Sequence, residues 1–169
     1  MYRAYLAISA DGNIADSNGG VGWLKRFDGL ELGFTDFLGA MRAIVMGRTT
    51  YDQVLTFGKW PYAGKDVVVV TSRPLEDAPK GVRTFSGEVT GLPEILPSDG
   101  DVWVLGGGKL VSAMLAANLV DRLELFVMPV ILGGGVPLIT GEAGDVTLDL
   151  VSHHAHDLGV VELVYAPRR

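Results

Sequence analysis

The chain has 169 residues, 14 lysines and arginines against 20 aspartates and glutamates, a net charge of -6 and no cysteine. That length suits one domain, the acidic balance excludes a non-specific electrostatic hold on nucleic acid, and 48% hydrophobic residues exclude disorder as the main state. Without cysteine there can be no disulfide, thiolate metal site or cysteine nucleophile, which fits a reducing compartment.

The N-terminal run Tyr2 to Ala10 is apolar but short, and Asp11-Gly12-Asn13 follows it without a small-residue cleavage pattern. It reads as a first strand, Arg3 to Ser9. No apolar stretch reaches the roughly 18 residues of a membrane helix, so a cytoplasmic protein with no membrane partner is expected. Helical spacing then picks out Phe34, Phe37, Leu38 and Met41, and a strand follows from Ala43 to Met46. Tyr51, Val54 and Leu55 repeat the helical pattern before a strand from Asp66 to Thr71. Leu92, Ile95 and Leu96 precede a strand from Asp101 to Leu105, and Leu110, Met114, Leu115 and Leu119 precede one from Arg122 to Pro129. The middle strands, such as Val67 to Val70, are almost unbroken apolar runs, as expected of parallel strands covered on both faces. Strand-helix alternation of this kind implies right-handed crossovers and an open α/β sheet. Val146 to His154 and Val160 to Tyr165, joined across Asp157 and Gly159, read as a closing antiparallel hairpin. One domain is expected.

Glycine is abundant, at 23 residues, and its placement is informative. Val102-Trp103-Val104-Leu105-Gly106-Gly107-Gly108-Lys109-Leu110 is a buried strand that ends in glycines and opens a helix. Such a helix start offers free N–H groups and a partial positive charge to phosphate, although a plain tight turn would use glycines too. Two nucleotide motifs are absent. Val111 breaks the Rossmann spacing that Gly106 and Gly108 begin, and Trp103 and Leu110 replace the outer glycine and hydroxyl of a Walker A loop. Two other strands run into Gly47-Arg48-Thr49-Thr50 and Thr71-Ser72-Arg73. Alone, each basic residue reads equally well as a solvated loop charge. Together, Arg48, Arg73 and Lys109 at one sheet edge of an acidic protein point to anion binding.

The ordered set Ser9-Ala10-Asp11-Gly12-Asn13-Ile14-Ala15, Val21-Gly22-Trp23-Leu24, Val45-Met46-Gly47-Arg48-Thr49-Thr50-Tyr51, Val70-Thr71-Ser72-Arg73, Leu105-Gly106-Gly107-Gly108 and Phe126-Val127-Met128-Pro129-Val130-Ile131-Leu132-Gly133-Gly134 resembles the dihydrofolate reductase-like superfamily. Within it, the match is to the branch related to the C-terminal reductase domain of riboflavin biosynthesis, and it spans nearly the whole chain. The resemblance implies a three-layer α/β fold: a mostly parallel central sheet of about eight strands, flanking helices and a C-terminal antiparallel hairpin. It also implies NADPH as cofactor. Ala7 and Ile8 would give backbone hydrogen bonds to the nicotinamide carboxamide, and Ile14 with the loop from Gly19 to Trp23 would cover the ring. Gly47, Arg48, Thr49 and Thr50 would hold phosphates, Thr71, Ser72 and Arg73 would receive the adenosine 2′-phosphate, and Leu105, Gly106, Gly107, Gly108, Lys109 and Leu110 would wrap the pyrophosphate.

For the substrate, the resemblance implies a carboxylate near the first helix, with Glu31 and Asp36 as alternatives and water as a third proton source. Trp23, Tyr51 and Trp60 are the candidates for stacking on a planar substrate, while Trp103, in mid-strand, reads as core. The riboflavin-pathway lysine, Asp-Asn-Pro run and glutamate are replaced or missing, with Tyr5 and Leu105 at two of those places. His153, His154 and His156 read as exposed hairpin residues rather than metal ligands, because no helical ligand spacing accompanies them. Gly133-Gly134-Gly135 reads as a strand-connecting turn set against a partner subunit. The family implies a homodimer, to which the apolar run Phe126 to Leu132 near the sheet edge would contribute. The expected activity is hydride transfer from NADPH to a small pterin- or pyrimidine-like heterocycle, the alternative being a noncatalytic NADP(H)-binding or dimerisation module.

Overall fold

In chain order the elements are β1 (Tyr2–Ser9), β2 (Asn13–Ala15), α1 (Phe34–Ala40), β3 (Met41–Gly47), α2 (Arg48–Leu55), β4 (Asp66–Val70), β5 (Val82–Phe85), α3 (Leu92–Ile95), β6 (Asp101–Gly106), α4 (Gly108–Ala116), β7 (Arg122–Met128), β8 (Val136–Pro137), β9 (Leu148–Ala155) and β10 (Val161–Pro167). They come from a computed structural model that describes residues 1–169 apart from the Glu142 side chain. Eight strands make one sheet in the order β5-β4-β3-β6-β1-β7-β10-β9, and β2 pairs with β8 in a small second sheet. The first six strands in that order run parallel, and β10 and β9 close the sheet antiparallel. This is the three-layer α/β arrangement expected of the sequence.

Apolar periodicity explains the layers. On one face, Leu110, Val111, Met114 and Leu115 of α4 pack with Ala4, Val45, Val68 and Val104 of the sheet. On the other, Phe37 of α1 and Tyr51 and Val54 of α2 pack on Ile44, Met46, Val67, Val69 and Trp103. A separate cluster joins Trp23 and Phe27 of a 3-10 turn to Phe126 and Met128. The strand order corrects one expectation: β7 lies between β1 and β10, so Phe126 to Met128 sits inside the sheet and not at its edge, whereas Ile131 beyond it is exposed. The sequence pattern passed over β5, whose Val-Arg-Thr-Phe mixes polarities at the sheet edge. It also passed over β2 and β8, which are too short to show a period.

The neighbours of β1 differ. It pairs with β7 continuously from Arg3 to Ser9, but with β6 only at Tyr2 and Arg3. Meanwhile β6 stays on β3, where the extra residue Leu105 shifts the register between Val104 and Gly106. The carboxyl halves of β1 and β6 therefore part, and a gap opens at the sheet's carboxyl edge.

The three glycines after β6 have separate reasons. Gly106 adopts φ +110, which disfavours any side chain. A Cβ on Gly108 would overlap the carbonyl oxygens of Pro137 and Leu138, whereas one on Gly107 would meet only Thr50 Oγ1 at 3.4 Å and Ile14 Cδ1 at 3.7 Å. Gly108→Ala should thus cost roughly 1–3 kcal/mol in urea unfolding, and Gly107→Ala under about 1 kcal/mol. Equal unfolding midpoints for the two variants would contradict this packing.

Candidate active site

Glycine leads into both helices that begin at the carboxyl edge. Gly47 ends β3 and is the N-cap of α2; Gly107 follows β6 and is the N-cap of α4. Neither cap supplies a side-chain hydrogen bond, so the first-turn N–H groups of both helices stay free and carry the positive end of the helix dipole. The two starts are adjacent: a Cβ on Gly47 would lie 3.8 Å from the Gly106 carbonyl oxygen and 3.9 Å from the Gly107 nitrogen. Both helix starts line one cavity of about 650 Å³.

Of the predicted cofactor residues, Ile14, Gly47, Arg48, Thr49, Thr50, Gly107, Gly108, Lys109 and Leu110 line this cavity. Arg48 also reaches the next loop. Its Nε donates to Asp52 Oδ1 at 2.8 Å and its Nη1 to the Pro74 carbonyl at 3.1 Å. The guanidinium thereby stands between α2 and the segment Thr71-Ser72-Arg73, which follows the cavity-lining Val70 and exposes Ser72 and Arg73. Among the described residues, neither Arg73 nor Lys109 is held in an ion pair. Gly106 bends into the helix beside this wall, while Leu105 packs toward the α1 and α2 face.

Strand alternation separates Ala7 from Ile8. Tyr2 accepts from Asp121 N at 2.8 Å and Ala10 donates to Val130 at 2.8 Å, so even-numbered residues of β1 turn their peptide groups toward β7. Odd-numbered ones face β6, as Met1 does in accepting from Val102 N at 2.8 Å. Ile8 is therefore committed to β7, contrary to its expected part in holding a carboxamide, and its side chain joins the core. Ala7 points its N–H and C=O into the gap, beyond the end of the β1–β6 ladder, with no ladder partner on that side.

The aromatic candidates do not gather at the cavity. Tyr51 is 2% exposed and packs under α2, Trp60 meets it edge-on at 5.8 Å, and Trp23 sits in another cluster at 8% exposure. The Trp23 Nε1, Tyr51 hydroxyl and Trp60 Nε1 are buried without partners. Glu31 and Asp36 do share a site, a second cavity of about 490 Å³ on the face that carries α1, with Arg3, Tyr5, Glu124, His156 and Glu162. There Glu124 holds Arg3 through two hydrogen bonds of 2.7 and 2.8 Å, so the one guanidinium lining this cavity is already neutralised. Tyr5 stacks on Phe37 at 4.2 Å and donates to the Leu32 carbonyl at 2.7 Å; burial pushes its phenol well above the usual range. His156 is half-buried and pairs with Glu162 at 3.0 Å, which corrects its reading as an exposed hairpin residue.

Sequence reasoning missed two parts of the first cavity. Gln53 lies three residues beyond Thr50 on α2, a spacing that could have revealed it, and its Nε2 donates to the Gly19 carbonyl at 2.7 Å. Gly135, Val136 and Pro137 also line the wall, because β8 lies against β2. Asp11 fixes that segment. Its carboxylate accepts from Ser9 Oγ at 2.6 Å, Leu132 N at 3.1 Å and Gly133 N at 2.9 Å. The Ser9 hydroxyl above all, with these backbone N–H groups, holds the Asp11 carboxyl down at about 2.

Fold and site together define an α/β domain of the dihydrofolate reductase-like type. The chain belongs to the RibD C-terminal domain family, which it matches over residues 3–161. It is 30% identical over 143 residues to YwjB of Bacillus subtilis (strain 168), covering 79% of each chain. To YyaP of the same organism it is 28% identical, covering 95% of this chain and 91% of that one; both relatives are uncharacterised. A Shewanella sp. PV-4 protein provisionally assigned to riboflavin biosynthesis superimposes with a TM-score of 0.88 at 27% identity, covering 99% of both chains. The Thermotoga maritima diaminohydroxyphosphoribosylaminopyrimidine deaminase/5-amino-6-(5-phosphoribosylamino)uracil reductase shares the fold with a TM-score of 0.74 at 21% identity, this chain spanning 56% of its length.

The Asp11 tether has a defined pH dependence. Its folded-state carboxyl lies below the ordinary 3.8, so the tether contributes fully above that value and is lost as pH falls through about 2. In an acid titration followed by NMR, the Leu132 and Gly133 amide shifts should move with a midpoint near 2, and Asp11→Asn should abolish the transition. A midpoint at the ordinary carboxylate value would contradict the tether.

Proposed function

We propose that the chain is an NADPH-dependent reductase that delivers hydride to a small planar heterocycle of the pterin or pyrimidine kind. The observation that carries this reading is the meeting of two uncapped helix starts at one cavity, beside the unpaired peptide of Ala7. A pyrophosphate suits the first-turn N–H groups of α2 and α4, and Lys109 adds charge. A 2′-phosphate suits Arg48 with Thr71, Ser72 and Arg73, since it brings up to two further negative charges that need paired donors. The carboxamide of a nicotinamide, with one donor and one acceptor, complements the N–H and C=O of Ala7. Bound in this way, the reduced cofactor supplies the hydride.

The chain's own contribution is orientation and the exclusion of water. Ile14 and the Gly19 segment, tied to α2 by Gln53, cover the cavity. Reduction of a C=N or C=O bond also takes up one proton, which Glu31, Asp36 or water would provide. The uracil reductase activity in the Thermotoga protein's name is a chemical precedent. Here Tyr5 fills space beside α1 and Arg3 is neutralised by Glu124, which favours a substrate without a phosphate on that face. A homodimer would use the exposed Leu150, Val151 and Val161 of the C-terminal hairpin in preference to β7.

Calorimetry tests the cofactor assignment. Arg48→Ala combined with Arg73→Ala should weaken NADPH binding by about 10- to 100-fold and NADH binding by no more than about threefold, as expected for the loss of charge-assisted bonds to the 2′-phosphate. Equal losses would contradict that assignment. NADPH binding with no loss of reduced-nicotinamide absorbance across pterins, pyrimidines and quinones would favour a noncatalytic module.

A further inference from the structure

The parting of β1 from β6 leaves a carbonyl to be satisfied. A parallel ladder continued past Arg3 and Trp103 would next present the Gly106 N–H to the carbonyl of Tyr5. The extra residue Leu105 takes Gly106 out of that register. The Tyr5 carbonyl instead accepts from the indole Nε1 of Trp103, at 3.2 Å. The indole cannot readily swing away. It is 6% exposed and meets Phe37 and Tyr62 edge-on, at 5.5 and 5.8 Å.

We infer that Trp103 is a positioning residue, whose side chain replaces a missing ladder bond and so holds open the gap into which Ala7 directs its peptide groups. An unpaired buried carbonyl draws any available donor toward it, and the available backbone donor belongs to β6. With Trp103 supplying that donor, β1 stays on β7 and β6 stays on β3. Ala7, two residues beyond Tyr5 and on the same side of the strand, keeps a free donor and acceptor. The consequence for binding rests on the proposed reading of Ala7 as the partner of the nicotinamide carboxamide. Trp103 touches neither end of the dinucleotide in that reading and acts through the strand.

The test separates the two halves of the cofactor. Trp103→Phe keeps an aromatic ring and removes the N–H. Measured by calorimetry, its affinity for NADPH should fall about 10-fold, while that for adenosine 2′,5′-bisphosphate, which lacks the nicotinamide, stays within about twofold. Equal loss for both probes would make Trp103 merely structural, and no loss for either would remove its role; both outcomes overturn the inference. In wild-type protein, where folding of the variant is not at issue, NMR hydrogen exchange should show a protected Trp103 Nε1–H. It should also show an Ala7 amide that exchanges freely until NADPH is added. An indole N–H exchanging at the rate of free tryptophan would overturn the inference while leaving the cofactor reading intact. Wild-type protein that binds NADPH no more tightly than the bisphosphate would instead overturn the carboxamide reading, and the positioning role with it.

Discussion

Helix starts need partners for their first N–H groups, and here two of them, α2 and α4, have no side-chain cap and open onto the same cavity. Most other features of the site follow from bringing those two ends together. β3 and β6 must be parallel neighbours, so that both chains leave the sheet at one edge. The Gly106–Gly107 peptide lies within van der Waals reach of Gly47, and Gly108 must yield to the Pro137 and Leu138 carbonyls. The net charge of -6 makes this edge distinctive, because an anion finds its attraction in the local N–H groups, Arg48 and Lys109 rather than in the molecule as a whole.

The sheet divides the chemistry between its faces. Its carboxyl edge collects donors: uncapped helices, hydroxyls of Thr49 and Thr50, and basic side chains. The face carrying α1 collects acceptors, namely Glu31, Asp36, Glu124 and Glu162, with the single arginine of that cavity already bound to Glu124 and Asp101. An anionic cofactor and an uncharged, donor-bearing heterocycle are the ligands that such a division suits. Tyr5 lines the second region and, stacked on Phe37, takes up space there.

Much of this was legible in the sequence, for identifiable reasons. Unbroken valine runs marked the parallel strands, and the glycine-rich exits of β3 and β6 marked the cavity, because backbone shape leaves its trace in residue type. Residues that act through backbone direction were less legible. Ala7 and Ile8 look alike in sequence, yet alternation sends one peptide into the gap and the other into the β7 ladder. Tyr51 lay in the apolar stripe of its own helix, three residues before Val54, and its burial follows from that stripe rather than from any affinity for a ligand. Gly135 and Pro137 were hidden because two- and three-residue strands have no period, and only the pairing of β2 with β8 brings them to the cavity wall.

The central claim, that two helix starts and one unpaired strand peptide receive a single dinucleotide, is tested most directly by an NMR titration of the amide-labelled protein with NADPH. The account predicts saturable shifts shared by Arg48, Thr49 and Thr50, by Lys109 and Leu110, and by Ala7, all with one dissociation constant. Shifts confined to one of these segments, or none at all at millimolar cofactor, would contradict it.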